Sequence, residues 1–423
     1  MKAIGIDIGT TSICGVLVDT QSGEIIKSVT KNSEAFIKTP NEWEKIQDTQ
    51  KIINMAVEIT DSLICDDCAC IGITGQMHGI VYYDKDGSAV SSLYTWQDGR
   101  GNQIYKDGNT YSGYLGIPTG YGYVTDFYNC DKGIKPQNAV GYCTIHDYLG
   151  MVLTGRKKAL LHSSDAASCG DYNLDSNTFN HEFYGDITSE FALLGEYKGI
   201  PVSVAIGDNQ ASVFGALSCD DDILLNIGTG SQISVVSDKP IIGENIESRP
   251  YTDGKFLIVG AALCGGRAYS MLEKFYSDVV FAATGTRMSM YEVMNNMTAS
   301  SQTPIIADTR FSGTRSNPDL KGGLFDITTE NLTPGDVKCA FLNGIIKELY
   351  DMYLSMNVSR TSLIGSGNGI RKNKALKQTC ENMFGAKMKT PLHLEEAAFG
   401  AALFAMTATG KFDNVKQIIR YEQ

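Results

Sequence analysis

Asp7 sits inside an otherwise apolar run, residues 3–8, directly before Gly9-Thr10-Thr11-Ser12. A carboxylate there is penalised by desolvation unless it meets a cation or hydrogen-bond donors, and a magnesium ion held through water would be such a cation. Gly9 lets a phosphate approach the backbone closely, while Thr10, Thr11 and Ser12 offer hydroxyl and amide donors to its oxygens. The same residues could form a plain hairpin with an Asx-type turn. A second carboxylate, Asp208, stands in Gly207-Asp208-Asn209-Gln210-Ala211, between the β-rich run 202–206 and a small-residue run that reads as a helix. That position suits either a general base or a helix N-cap.

Gly75-Gln76-Met77-His78-Gly79 follows a strand-like run, at the kind of position that lines ligand pockets in open α/β sheets. Thr95-Trp96-Gln97-Asp98-Gly99-Arg100 adds an aromatic face, an amide, a carboxylate and a guanidinium, a repertoire for holding a polyhydroxylated molecule. A structural His and a core Trp are the plainer alternatives. Gly228-Thr229-Gly230-Ser231 is a second Gly-Thr turn. Gly365-Ser366-Gly367-Asn368-Gly369 follows the apolar run 361–364 and precedes a helical pattern over 373–384, where a flat base or a phosphate could reach backbone. Cys65, Cys68 and Cys70 could be read as three metal ligands, but no fourth Cys or His lies nearby.

The elements that must position these residues follow a repeated order. Strands over 3–8, 13–18 and 24–29, an amphipathic helix over 43–64 and a strand over 69–74 give βββαβ. Strands over 222–226, 232–237 and 255–263 and a helix from 268 repeat it, with the Gly-Thr turns at corresponding places half a chain apart. Two related halves, 1–214 and 215–423, would allow two loops to grip one polyphosphate. The length of 423 residues suits two large domains, and 43% hydrophobic with 20% charged residues excludes disorder. The net charge of -12, without a Lys/Arg run, argues against nucleic acid as a partner. No apolar stretch is long enough to span a membrane, and Asp7 interrupts any signal-peptide core, so a cytoplasmic protein is expected. The odd count of 11 Cys, without dense spacing, predicts reduced and mostly buried thiols.

Taken in order, Asp7-Ile8-Gly9-Thr10-Thr11, Gly75-Gln76-Met77-His78-Gly79, Gly207-Asp208-Asn209, Gly228-Thr229-Gly230-Ser231 and Gly365-Ser366-Gly367-Asn368 resemble the FGGY family of carbohydrate kinases over essentially the whole chain. Thr95 to Arg100, Thr119-Gly120-Tyr121-Gly122, Thr144-Ile145-His146-Asp147-Tyr148 and Ala166-Ala167-Ser168 are most similar to segments of the members that phosphorylate sedoheptulose. The resemblance implies an α/β fold of two duplicated actin-like (ribonuclease H-like) domains, each a mixed sheet with flanking helices, around an interdomain cleft. Residues 1–214 would bind the sugar and carry the first phosphate loop; residues 215–423 would bind ATP.

By position, the resemblance makes Asp208 the catalytic base and places Asp7, with Asp208, near magnesium. It assigns Gly9, Thr10, Thr11, Ser12, Gly228, Thr229 and Gly230 to phosphate, and Gly365, Ser366, Gly367 and Asn368 to adenosine. Gln76, Met77, His78, Trp96, Asp98, Arg100 and Asn209 become sugar contacts. The implied activity is ATP-dependent phosphorylation of the terminal hydroxyl of a ketose, sedoheptulose to sedoheptulose 7-phosphate. Xylulose, another ketose or polyol, and a non-catalytic sugar sensor are the alternatives. A monomer or homodimer is implied, with a sugar and ATP as its only partners. The chain departs from the family in a shortened segment between Gly265 and Ser312.

Overall fold

Ile and Val in Lys2–Ile8 (β1) and Ser12–Asp19 (β2) favour extended backbone, and the two strands pair antiparallel from Lys2↔Asp19 to Ile8↔Ile13. Gly9, Thr10 and Thr11 are thereby left as the turn of a hairpin. The computed structural model describes residues 1–314, 317 and 319–422. Ile25–Asn32 (β3) continues the antiparallel run, and Cys68–Gly75 (β4) lies parallel to β1 on its other side. The expected strand over 202–206 is split: Ile200–Ser203 (β6) and Ile206–Gly207 (β7) each pair parallel to β4. Leu193–Tyr197 (β5) closes the edge, so the sheet runs β5-β6-β4-β1-β2-β3, with β7 beside β4.

Helix Thr49–Leu63 (α1) begins six residues later than its apolar period predicts. Residues 46 and 47 pair with Leu93–Tyr94 instead, and the Asp48 side chain caps the helix by accepting the Lys51 N–H at 2.9 Å. Ile145–Thr154 (α2), Ser163–Ser168 (α3) and Asp208–Ala216 (α4) supply the remaining helices that bear on the site in this unit.

A second sheet repeats the pattern. Asp222–Ile227 (β8) and Ser231–Ser237 (β9) form a hairpin around Gly228 to Gly230, and Phe256–Ala262 (β11) extends it antiparallel. Ser362–Ser366 (β12) runs parallel to β8, and Met388–Lys389 (β13) lies beyond it. With Ile246–Pro250 (β10) the order is β10-β11-β9-β8-β12-β13. Each sheet thus sets an antiparallel hairpin beside parallel strands, the ribonuclease H-like pattern expected of both halves. Gly265–Thr284 (α5) and Pro334–Ser355 (α6) bury Leu272, Ile345, Ile346 and Leu349 in the core of this unit. The motif 365–369 is no open loop: Gly365 and Ser366 end β12, and Gly367–Lys372 (α7) is already helical, followed by Lys374–Phe384 (α8).

The chain forms two compact units. One holds Met1–Ser218, Pro250–Lys255 and Glu395–Arg420; the other holds Cys219–Arg249, Phe256–Leu394 and the residues from Tyr421. Helix Glu396–Ala408 (α9) therefore belongs with β1 and β4, although it follows most of the second unit in sequence. Its small residues permit backbone-to-backbone packing. A Cβ on Gly72 would lie 1.8 Å from the Ala401 carbonyl oxygen, and one on Gly400 would lie 1.8 Å from that of Ala211 in α4. All the cysteines are free; Cys70, Cys143, Cys169, Cys264 and Cys380 are buried, whereas Cys130 and Cys219 are exposed, so burial is less general than expected. No helix among the described residues is long and apolar enough to cross a membrane.

Candidate active site

The parallel strands of the first unit end together. Ile8 is in register with Gly75, and Gly75 with Gly207, so Asp7, Gln76 and Asp208 leave the sheet at one end. Two bonds fix this end: the Gln76 N–H donates to the Ile8 carbonyl at 2.8 Å, and the Thr74 hydroxyl donates to the Ile206 carbonyl at 2.6 Å. Asp208 is the first residue of α4, with Gly207 at the cap, so the N-cap alternative does not hold. The Gly207 N–H donates to Ser164 Oγ at 3.1 Å, which ties this turn to α3. Asp7 is enclosed by the sheet yet keeps part of its surface open. Burial, and next the charge of Asp208, push its carboxyl up to about 7.

A chain of polar side chains joins the first loop to the expected sugar residues. Trp96 Nε1 donates to Thr10 Oγ1 at 2.9 Å, and Thr10 Oγ1 lies 3.4 Å from Gln76 Oε1 as its donor. Gln76 Nε2 donates to Gln47 Oε1 at 3.0 Å, and Gln47 Nε2 closes the ring on the Thr10 carbonyl at 2.6 Å. Trp96 is 46% exposed, so it is not a core residue, and Thr11 is exposed as a phosphate donor must be. Met77 is buried against the Asp208 turn; a Cβ on Gly207 would come within 2.6 Å of its Sδ. His78 adopts a left-handed backbone (φ 71°), uncommon for a residue with a Cβ. Its Nδ1 donates to the Ser168 carbonyl at 2.8 Å and its ring stacks on Tyr121 at 4.2 Å.

Asp98 and Arg100, expected as sugar contacts, are instead 0% exposed and committed to each other. Asp98 Oδ1 accepts from Arg100 Nε at 2.6 Å, and Oδ2 accepts from Arg100 Nη2 at 3.2 Å and from the Lys45 N–H at 3.0 Å. Arg100 also donates to Asn129 Oδ1 and lies 4.2 Å over the Tyr94 ring. The pair braces the loop that presents Trp96. Asn209 follows Asp208 in α4 and is half-buried.

Beneath Asp208 lies a group whose role the sequence did not reveal. His146 Nε2 and Asp165 Oδ1 are 2.9 Å apart, and Asp147 is adjacent, all three buried. Burial, followed by the charge of Asp208, holds the Asp165 carboxyl well above the ordinary carboxylate range, while burial lowers His146. Burial and then the Asp165 charge push Asp147 up to about 8. Such shifts follow from several acids sharing one interior, and only their chemistry, not a motif spacing, would have disclosed them.

In the second unit the Gly228 to Gly230 turn is tied to the start of α5: the Gly266 N–H donates to the Gly228 carbonyl at 3.0 Å and the Arg267 N–H to that of Thr229 at 2.9 Å. A cavity of about 790 Å³ opens beside it, lined by Gly228, Thr229 and Asn368 together with Arg267, Tyr269 and Lys372. Gly230, Gly365, Ser366 and Gly367 lie off that lining; Ser366 is wholly buried in β12, and Gly365 packs against Met388. Arg267 and Lys372 were missed by the sequence reading because each stands outside the Gly-rich motif, a few residues into the next helix.

The family model of the N-terminal domain of the FGGY family of carbohydrate kinases matches residues 2–111, and that of the C-terminal domain matches residues 223–409. A sedoheptulokinase from Mus musculus is 28% identical, with 95% of this chain and 96% of that protein covered. A xylulose kinase from Staphylococcus epidermidis is 24% identical, covering 98% and 90%. The crystal structure of a ligand-bound xylulose kinase from Lactobacillus acidophilus superposes with a TM-score of 0.80 at 21% identity, covering 100% of this chain and 93% of that one. Two family models in the expected order, on a chain folded in the matching two-domain way, make this protein a member of the FGGY family of carbohydrate kinases and a phosphotransferase with an alcohol group as acceptor.

Proposed function

We propose that the chain transfers the terminal phosphoryl group of ATP to the terminal hydroxyl of a ketose, with sedoheptulose as the substrate and sedoheptulose 7-phosphate as the product. The observation that carries this reading is Asp208 at the first position of α4, beside Asp7, at the end where three parallel strands stop. Asp208 accepts the hydroxyl proton as the sugar oxygen attacks the phosphorus in line. Trp96, Gln76, Met77, His78 and Asn209 hold the sugar chain. Thr10, Thr11, Ser12 and the Gly228 to Gly230 turn donate N–H and O–H groups to phosphate oxygens. Arg267, Lys372 and Asn368 line the cavity for the nucleotide.

Magnesium fits the donor set present. Asp7 is raised by burial and by the like charge of Asp208, and a divalent cation near the pair removes both penalties. Asp7 would hold it with Asp208, and when bound it offsets phosphate charge. The similarity to sedoheptulokinase supports the seven-carbon ketose, and the equally full-length similarity to xylulose kinase supplies a competitor. The work is assigned to the cytoplasm, where ATP is made available to sugar metabolism.

The test is ADP release with magnesium ATP against sedoheptulose, xylulose, ribulose, fructose, gluconate, glycerol and no sugar, read as kcat/KM. Sedoheptulose leading the series supports the proposal. Another sugar leading keeps the chemistry and changes the substrate. No sugar-dependent turnover transfers the reading to a non-catalytic sugar sensor.

A further inference from the structure

We propose that Cys65 and Cys68 are a redox-active dithiol that closes to an intramolecular disulfide by exchange with a small-molecule disulfide. The two residues bracket the turn between α1 and β4, with Asp66 and Asp67 exposed at its tip. The turn is closed by the Cys68 N–H donating to the Cys65 carbonyl at 3.1 Å, which keeps the two Cα atoms within the span of a β-turn, a span that overlaps what a disulfide requires. The side chains already converge: Sγ lies 3.2 Å from Sγ. Both thiols are half-buried and reachable by a small reagent, whereas Cys70, two residues on, is fully buried in β4.

The hydrogen bonds assign the roles. Cys68 Sγ accepts the Cys65 N–H at 3.3 Å and lies 3.9 Å from the Leu63 carbonyl as its donor. Cys65 Sγ donates to Asp67 Oδ1 at 3.3 Å and so keeps its proton. Burial first, then the hydrogen bonds to Cys68 and Asp67, push the Cys65 thiol up to about 12. Lys2 stands beside the pair, 3.2 Å from Asp67, and its charge is felt by both sulfurs. Cys68 therefore attacks first. Its sulfur bonds to one sulfur of the small disulfide, whose S–S bond breaks and releases one thiol. Capping Cys68 removes the charge that opposed ionisation of Cys65. Cys65 then loses its proton, attacks Cys68 Sγ and displaces the second thiol. Two protein thiols are oxidised and one small disulfide is reduced to two thiols.

The experiment exposes the native full-length chain, and the same chain unfolded in urea, to glutathione disulfide, followed by alkylation and peptide mapping. Exposed Cys130 and Cys219 are expected to collect glutathione adducts, so the assignment rests on the peptide that carries Cys65, Cys68 and Cys70. The native chain should show a Cys65–Cys68 bond with Cys70 alkylated, formed about tenfold more readily than in urea. Cys65→Ser should retain glutathione on Cys68, and Cys68→Ser should form neither bond nor adduct at Cys65 in the same period, with far-UV dichroism establishing that both fold. A lasting adduct on Cys68 in the native wild-type chain, a bond to Cys70, or oxidation no easier than in urea would overturn the proposal.

Discussion

Replacing Asp147 by Asn isolates the electrostatic cost of the acids packed beneath Asp208. Asp147 is buried, accepts the Thr144 hydroxyl at 2.6 Å, and has its other oxygen without a partner among the described residues, so Asn fits the same space. The carboxyl is carried from the ordinary 3.8 up to about 8, first by burial and then by the Asp165 charge. Its folded value is the higher one, so the folded state keeps a proton that the unfolded chain releases. Its contribution to stability is therefore complete below about pH 4 and is lost as pH rises toward 8. The ceiling on that loss is about 6 kcal/mol, and relaxation around Asp165 reduces the expected value to about 2–4 kcal/mol. Asn has no proton to lose, so the variant should be close to wild type at pH 4 and more stable than it at pH 8.5. Both tryptophans, Trp43 and Trp96, lie in the first unit, so guanidinium unfolding followed by their fluorescence reports on the correct half of the molecule. A variant destabilised equally at both pH values would refute the reasoning, because it would mean that a partner stabilises the ionised carboxylate.

Asp208→Asn should keep its fold and lose about a hundredfold to ten-thousandfold in kcat, measured by ADP release at saturating sugar. Arg100→Met leaves Asp98 buried without its cation and should cost about 3–5 kcal/mol, read as a drop in the guanidinium midpoint of the first unit. If Arg100 contacted sugar instead, the loss would fall on KM with the midpoint unchanged. Lys372→Ala should raise KM for ATP by about tenfold and leave KM for the sugar within twofold, since its ammonium lines the cavity of the second unit.

The β-hairpins around Gly9 and Gly228 were legible because apolar alternation and turn residues are local signals, and Asp7 and Asp208 stood out as carboxylates against apolar runs. Boundaries failed where a tertiary contact outweighed periodicity, as when residues 46 and 47 left α1 to pair with Leu93–Tyr94. Trp96, Asp98 and Arg100 looked alike as polar-site candidates six residues long. Only packing separates them, because Asp98 and Arg100 turn inward onto Tyr94 and Asn129 while Trp96 turns out to Thr10. His146, Asp147 and Asp165 form a cluster through three-dimensional proximity alone. Lys372 and Arg267 carry no motif that sets them apart from other surface cations.

The placement of α9 has a consequence for how the protein is made. The ribosome completes β1, β4 and α4 long before it reaches Glu396, yet Gly72 and Ala211 wait for the backbone of that final helix. Until residues 396–408 are made, the faces of β1 and β4 that they cover stay open, so the first unit is expected to complete its packing only after most of the second unit has been translated. A chain ending before Glu396 would carry Asp7, Gln76 and Asp208 yet lack the helix whose backbone packs on Gly72 and Ala211.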